Sequence, residues 1–321
     1  MPITIFPSII PAKKAIADPS EYAEGTSYLN RTGFKYLKNN EIRIAWVQDF
    51  AKMGGAELSN KTLVDYGEKN GFQVCGLTPQ KFDLGIIRAA DVVIINNIFL
   101  FTQEQTIAMM STIIDYAIPY VKYDHDIRCT TRGEFARSLF SRSALNVFVS
   151  PRHMECYEKA FGPDVTKRSI ALPVAIDDRP FVNKGLDRVK GSAISIYLPK
   201  QQHNLIEFIK NNIGKYKYMG LGNSKIQGLE IPRIKCVENV EMVDVYNQFE
   251  YVIHLPDTQS AGDRVYFEAL LCGCKVITNR NVGHLSWGFD ESNHEFIRER
   301  LRNAIVDFWY KIESIYNRHY K

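Results

Sequence analysis

Apolar and polar positions along this chain fall into a repeating strand–helix pattern that begins at Ile42. Residues 42–48 (IRIAWVQ) are apolar at nearly every position around one arginine, which suits a strand covered on both faces. Residues 54–71 (GGAELSNKTLVDYGEKNG) predict a helix led by glycine and closed by glycine, and residues 72–77 (FQVCGL) predict the next strand. Residues 91–96 (DVVIIN) predict a strand with an apolar centre, and 102–117 a helix with Thr102 as its cap. Strands at 120–123, 146–150 and 169–172 complete the alternation, which calls for a parallel sheet with helices on both faces. Residues 1–40 carry Pro, Tyr and Lys without periodicity and read as an extension lying on the surface.

The same pattern restarts near Ala193. Residues 193–199 (AISIYLP) predict a strand, 203–214 a helix, 217–223 (KYMGLGN) a strand ending in a Gly-rich turn, and 233–237 a further strand. A helix at 243–249 and a strand at 251–255 precede residues 263–279 (DRVYFEALLCGCKVITN). There, an apolar helix carrying one acid, Glu268, stops at Gly273 before a short strand through residues 276–278. Residues 176–192 are charged and Gly-containing, as a linker is. Residues 293–316 predict an amphipathic helix with Phe296, Leu301, Ile305, Phe308 and Ile312 on one face. The expectation is an α/β protein with two doubly wound domains, 1–175 and 176–292, and a closing helix (293–321) packing back on the first. Such sheets bind ligands at loops following the carboxyl ends of their strands.

At 321 residues, 45% of them hydrophobic, the chain can build two cores, and disorder is excluded. Its net charge of +4 suits anionic ligands without choosing among nucleotides, nucleic acid and membrane headgroups. No apolar run reaches eighteen residues, and the proline-interrupted start is not a secretory signal. The six cysteines are scattered, with only Cys272 and Cys274 close together. That fits free thiols in a reducing cytoplasm and no zinc site.

A few turns can carry chemistry. Residues 48–57 (QDFAKMGGAE) follow the first strand, and Gly54 and Gly55 either let backbone approach an anionic ligand or simply make a tight turn. Residues 123–128 (YDHDIR) allow three readings: Asp124 and Asp126 holding a divalent cation, His125 facing a ligand at a strand end, or a capped turn. Lys200 directly follows a strand, placed for phosphate oxygens or for solvent. Gly220 and Gly222 form a strand-end turn, and residues 256–264 (PDTQSAGDR) could offer the backbone N–H groups of Ser260, Ala261 and Gly262 to a phosphate. Glu268 either faces water or takes a polar partner such as a ligand hydroxyl. Hydrolase signatures are absent.

In order, GGAE, YDHD, VSPRHMECYEKAFG with IALPVAIDDRPF, MGLGN, VDVYNQFEYVIHLP and PDTQSAGDRVYFEALLCGCKVITN resemble the family-4 retaining glycosyltransferases of the GT-B fold. The resemblance covers nearly everything from residue 42 to 278, and EALLCG is its closest match. It implies two Rossmann-like domains facing a central cleft, and transfer of a hexose from a nucleotide-sugar, UDP- or GDP-linked, with retained configuration. No cofactor and no metal is implied. The second domain would hold the donor. Glu268 would take the ribose hydroxyls. Lys200 and the turn Ser260, Ala261, Gly262 and Asp263 would take the diphosphate, with Gly220 and Gly222 nearby. Gly54 and Gly55 would approach from the first domain, where His125 and Asp126 are the catalytic candidates. Asp49, Glu57, Asn96 and Asn97 are assigned to the acceptor side.

One departure matters: the family's second glutamate, with seven residues between it and the Glu268 equivalent, is here Ser260. The usual Arg–Lys pair is reduced to Lys200, with Arg264 as a possible substitute cation. The acceptor stays open between a glycan or lipid-linked molecule, which is favoured, and a hydroxymethylated base in DNA. Two further alternatives are a metal-dependent GT-A enzyme using Asp124 and Asp126, and a nucleotide-sugar-binding protein without catalysis.

Overall fold

The computed structural model describes residues 33–34, 41–49, 55–131, 133–196, 203–221, 231, 233–234 and 242–321. The described residues divide into two compact units, one built from residues 33–176 together with Arg300–Lys321, the other from Asp177–Glu299. The expected extension, apart from Gly33 and Phe34, lies outside the described residues, as do Gly54, Lys200 and Gly222.

The first unit holds six parallel strands: β1 (Ile42–Val47), β2 (Phe72–Leu77), β3 (Val92–Ile95), β4 (Tyr120–Asp124), β5 (Leu145–Phe148) and β6 (Ser169–Ala171). Their order across the sheet is β2-β1-β3-β4-β5-β6. Strands β1 and β3 are apolar at nearly every position, as strands covered on both faces are, and β4 is buried throughout; each large apolar side chain so buried stabilises the fold by about 1.5–3 kcal/mol. The strand sequence reverses direction between β1 and β3, so the crevice at their carboxyl ends is the topological switch point. Helix α1 (Gly55–Lys69) is followed by Gly71 at φ 89°, a conformation glycine alone adopts freely, and that turn leads straight into β2. Two further helices are α2 (Leu84–Ala89) and α3 (Gln103–Asp115), the latter opening on a capping box in which Thr102 and Gln105 satisfy each other's backbone N–H groups.

Helices α4 (Gly133–Ser141), α5 (Pro151–Phe161) and α6 (Pro163–Thr166) belong to this unit as well. The segment VSPRHMECYEKAFG is the turn that follows β5 together with α5, started by a Ser150 cap and Pro151 in the first turn.

The second unit orders its five parallel strands β11-β10-β7-β8-β9. They are β7 (Val189–Ile196), β8 (Lys217–Leu221), β9 (Arg233–Ile234), β10 (Phe249–His254) and β11 (Lys275–Thr278). Here the switch point lies between β7 and β10. Helices α7 (His203–Asn211), α8 (Met242–Gln248) and α9 (Arg264–Leu271) connect them. The predicted linker is shorter than expected, because its last residues already form β7, with the backbone N–H of Gly191 donating to Glu250 Oε2 at 2.7 Å.

Helix α10 (His294–Tyr320) starts in this unit, where buried Arg298 donates to Asp178 Oδ2 at 3.1 Å and to the Asp178 carbonyl at 2.9 Å. From Arg300 onward it belongs to the first unit, where Trp309 Nε1 donates to the Leu63 carbonyl at 2.8 Å. Phe296 is exposed, and Ile297 takes the inward place in the 3.6-residue period that continues through Leu301, Ile305, Phe308 and Ile312. No helix among the described residues is long and apolar enough to cross a membrane.

Candidate functional site

In the second unit, the polar groups gather beyond the carboxyl end of β10, beside its switch point. The turn from Pro256 to Asp263 is held from three directions. Asp257 accepts the backbone N–H groups of His203 (2.9 Å) and Asn204 (2.8 Å), so it caps the start of α7 with its own carboxylate. That anion occupies the helix start beside which Lys200 was expected to take phosphate. The Pro256 carbonyl accepts three side-chain amides, from Asn204 (3.0 Å), Asn279 (2.9 Å) and Asn281 (2.9 Å). Finally, the Ser260 N–H donates to the Asn281 carbonyl at 2.8 Å, and Gly283 packs so closely on Ala261 that a Cβ there would overlap its carbonyl.

Ser260 and Asp263 close the turn on themselves: the Ser260 hydroxyl donates to Asp263 Oδ2 at 2.6 Å. His254, the last residue of β10, sets Nε2 3.1 Å from the same oxygen. Burial works to raise the Asp263 carboxyl, but His254, Ser260 and His284 outweigh it and hold the group below the ordinary carboxylate range. His284 donates from Nδ1 to the Asp263 carbonyl (2.9 Å) and packs on Phe267, and burial pushes it down to about 4, so it is neutral near pH 7. Ala261 is buried, Gly262 half-buried.

Glu268 does not face bulk water. It is 5% exposed, accepting from Arg264 Nε at 2.9 Å and from the Tyr246 hydroxyl at 3.3 Å. Arg264, expected as a spare cation for phosphate, spends Nε on this pair one helical turn away. Gly220 lies inside β8, buried and in register with Ser195 and Arg233, and not in a turn.

In the first unit, Asp49, Asn96 and Asn97 sit just past β1 and β3, at the switch point. They are buried. Asn60 bridges the two strands, donating to Gln48 Oε1 (2.8 Å) and accepting from Asn96 Nδ2 (3.1 Å), while Asp49 accepts from the N–H groups of Phe99 (2.7 Å) and Leu100 (2.9 Å). Asn97 Oδ1 is buried with no hydrogen-bond partner among the described residues. Glu57 is buried in the first turn of α1, and Gly55 is exposed at its start.

The strand end at YDHD departs from the alternation expected of it, because β4 stops at Asp124. Asp124 has no exposed surface: Oδ1 takes Lys122 Nζ at 2.6 Å, Oδ2 takes the Tyr157 hydroxyl, and His153 Nε2 lies 3.4 Å away. Asp126 has left the strand and binds Arg128, whose Nε donates at 2.5 Å. The two carboxylates therefore do not form a cation pair, and the metal-dependent reading of D-H-D is corrected. His125 is half-buried just beyond β4, its ring edge-on to Tyr123 at 4.4 Å.

Several residues that shape these turns escaped the sequence. His254 and Tyr246 lie nine and twenty-two residues from the carboxylates they serve, and histidine spacing alone could not pair them. Lys122 was legible in principle, since a lysine inside the apolar run PYVKYD needs a buried partner.

No family model matches the chain, and no curated protein matches its sequence significantly. Solved structures do match. HepE of Anabaena in complex with UDP-glucose superposes with a TM-score of 0.60 at 14% identity, over 84% of this chain and 91% of that one. A glycosyltransferase from Rickettsia africae gives 0.60 at 10% identity, over 87% and 99%. An α-glucosyltransferase in complex with UDP and a 13-mer DNA containing an HMU base gives 0.55 at 14% identity, over 87% and 93%. At these identities the likeness is one of fold: two parallel α/β sheets of the GT-B class.

Proposed function

We propose that the protein is a retaining glycosyltransferase of the family-4 type, moving a hexose from a nucleotide-sugar to an acceptor hydroxyl. The observation that carries this reading is Glu268: a buried carboxylate, oriented by Arg264 and Tyr246, in a unit whose fold resembles structures that hold UDP and UDP-glucose. On this reading residues 176–292 bind the donor, with Glu268 toward the ribose hydroxyls and the backbone of Ala261 and Gly262 toward the diphosphate; the Ser260 N–H, expected there too, is spent on the Asn281 carbonyl. Lys200, Gly54, Gly55 and Gly222 keep their proposed donor roles, Gly220 serves the strand that leads to the turn, and Arg264 acts through Glu268. Residues 1–175 serve the acceptor through Asp49, Glu57, Asn96 and Asn97, while His125 and Asp126 serve the reacting centre. The acceptor oxygen bonds the anomeric carbon as the bond to the diphosphate breaks; the diphosphate leaves with the electron pair, and one of its oxygens takes the proton of the acceptor hydroxyl. The protein contributes positioning and stabilisation of that developing charge, with no cofactor, in the cytoplasm.

A glycan or lipid-linked acceptor is the first choice. DNA bearing a hydroxymethylated base is the second reading, favoured by the similarity to an α-glucosyltransferase whose complexes contain DNA. The test is a thermal-shift screen of nucleotide-sugars, since a ligand bound only by the folded state raises the midpoint. It is followed by incubation of the binding donor with glycan, lipid and hydroxymethylated-DNA acceptors. Release of nucleoside diphosphate with an α-linked product from an α-linked donor supports transfer with retention. No midpoint shift with any nucleotide-sugar refutes it.

A further inference from the structure

We propose that Asp263 reads a hydroxyl of the donor sugar, accepting it through Oδ1. The inference deepens the nucleotide-sugar reading above and rests on it. Asp263 stands at the N-cap of α9, where an aspartate ordinarily spends its carboxylate on the helix's own N–H groups, yet it makes no such bond. The carboxylate is turned aside and fixed there. Oδ2 accepts from Ser260 Oγ (2.6 Å) and lies 3.1 Å from His254 Nε2, while the backbone carbonyl is held by His284.

Oδ1 has no hydrogen-bond partner among the described residues, and the side chain keeps 27% of its surface exposed. One oxygen of a rigidly held, ionised carboxylate is thus presented at the turn beyond β10. Charge decides what it can face. A second anion such as diphosphate is repelled, whereas a sugar hydroxyl gains a charge-assisted hydrogen bond from a preorganised acceptor. Ser260 cannot take this part, because its hydroxyl is spent inward on Asp263 and approaches the Asn281 carbonyl at 3.3 Å.

The test measures binding of UDP-glucose and of UDP, by calorimetry, to the wild type, to Asp263→Asn and to Ser260→Ala, with circular dichroism and melting to establish folding. Asp263→Asn is expected to weaken UDP-glucose roughly tenfold or more, with UDP changed less than about twofold. Ser260→Ala, which loosens the clamp on Oδ2, should give a smaller loss of the same kind. A set of deoxy-UDP-glucose analogues should contain one that binds the wild type weakly and suffers no further loss in either variant. Unchanged UDP-glucose affinity, or equal loss of UDP and UDP-glucose, overturns the assignment. So does a deoxy series in which every analogue loses as much in the variants as UDP-glucose does. If the wild type binds neither UDP-glucose nor UDP, the same comparison is made with the nucleotide-sugar that the thermal-shift screen identifies and its nucleoside diphosphate; if no nucleotide-sugar binds, the nucleotide-sugar reading falls and takes this one with it.

Discussion

Lys122 and Asp124, two residues apart on β4, form an ion pair at 2.6 Å in which neither side chain has any exposed surface. Because β-strand residues i and i+2 share a face, the pair lies on one side of the sheet, and Lys122 also donates to the Asn96 carbonyl at 3.1 Å. The Asp124 carboxyl is burdened by burial, yet Lys122 and His153 hold it far below its usual range. Removing one partner strands the other. Asp124→Asn is expected to destabilise the protein by about 3–5 kcal/mol, and Lys122→Met combined with Asp124→Leu to recover much of that loss. Urea unfolding of Lys122→Met, of Asp124→Leu and of the double variant measures the coupling.

The close approach of α10 to α1 depends on Gly67, where a Cβ would overlap the Trp309 indole. Gly67→Ala should cost about 1–3 kcal/mol by overpacking. Trp309→Ala, which also loses the bond to the Leu63 carbonyl, should cost about 3–5 kcal/mol. Chemical unfolding gives both values.

Acid should weaken the second unit. His284 is held neutral, its pKa pushed from an ordinary 6.5 down to about 4 by burial, so the unfolded chain binds its proton first. Stability from this group is complete above about pH 6.5 and is lost as the pH falls toward 4, by up to about 3 kcal/mol. Asp263, also depressed, is fully stabilising above the ordinary carboxylate range and loses that contribution as the pH falls through its folded value, so the two losses have the same sign. His284→Phe should flatten the stability curve between pH 6.5 and 4, measured as unfolding free energy against pH.

Glu268→Ala is expected to lower nucleotide-sugar affinity at least tenfold if the carboxylate engages the donor, while Tyr246→Phe, which removes one long hydrogen bond to it and leaves Arg264 in place, should cost only a few-fold. Unaltered binding by Glu268→Ala in a folded protein would sink the role given to it.

The thiols of Cys272 and Cys274 are both pushed up to about 12, chiefly by burial. Neither should react with a disulfide reagent at pH 8 until denaturant is added, and the kinetics of thiol labelling will show it.

Much of this architecture could be read from spacing. Apolar runs bounded by glycine and cap residues are local, and local rules place β1, β2, β3, α1 and α3 within a residue or two. Thr102 was legible as a cap for the same reason: its partner Gln105 is three residues away. Helices α4 and α5 were missed as helices. The apolar spacing of α4, with Phe135, Ala136, Leu139 and Phe140 at helical intervals, was legible and overlooked, whereas α5 is committed by Tyr157 and Phe161 packing on Phe140 and Phe148, contacts that span up to about twenty residues.

The chain's own order of apolar and polar residues determined that strands and helices would alternate twice, and that turns would cluster at strand ends. Only tertiary structure decided which polar groups meet. Asp124 looked like a cation ligand until Lys122, His153 and Tyr157 closed over it. Ser260 looked like a ligand contact until its hydroxyl turned to Asp263. The reason is physical: the identity of a buried charge is written in one residue, but its protonation, orientation and availability depend on the groups that replace water around it. Some of those groups are near in sequence, but others, such as Tyr157 against Asp124 and His284 against Asp263, arrive from elements 33 and 21 residues away.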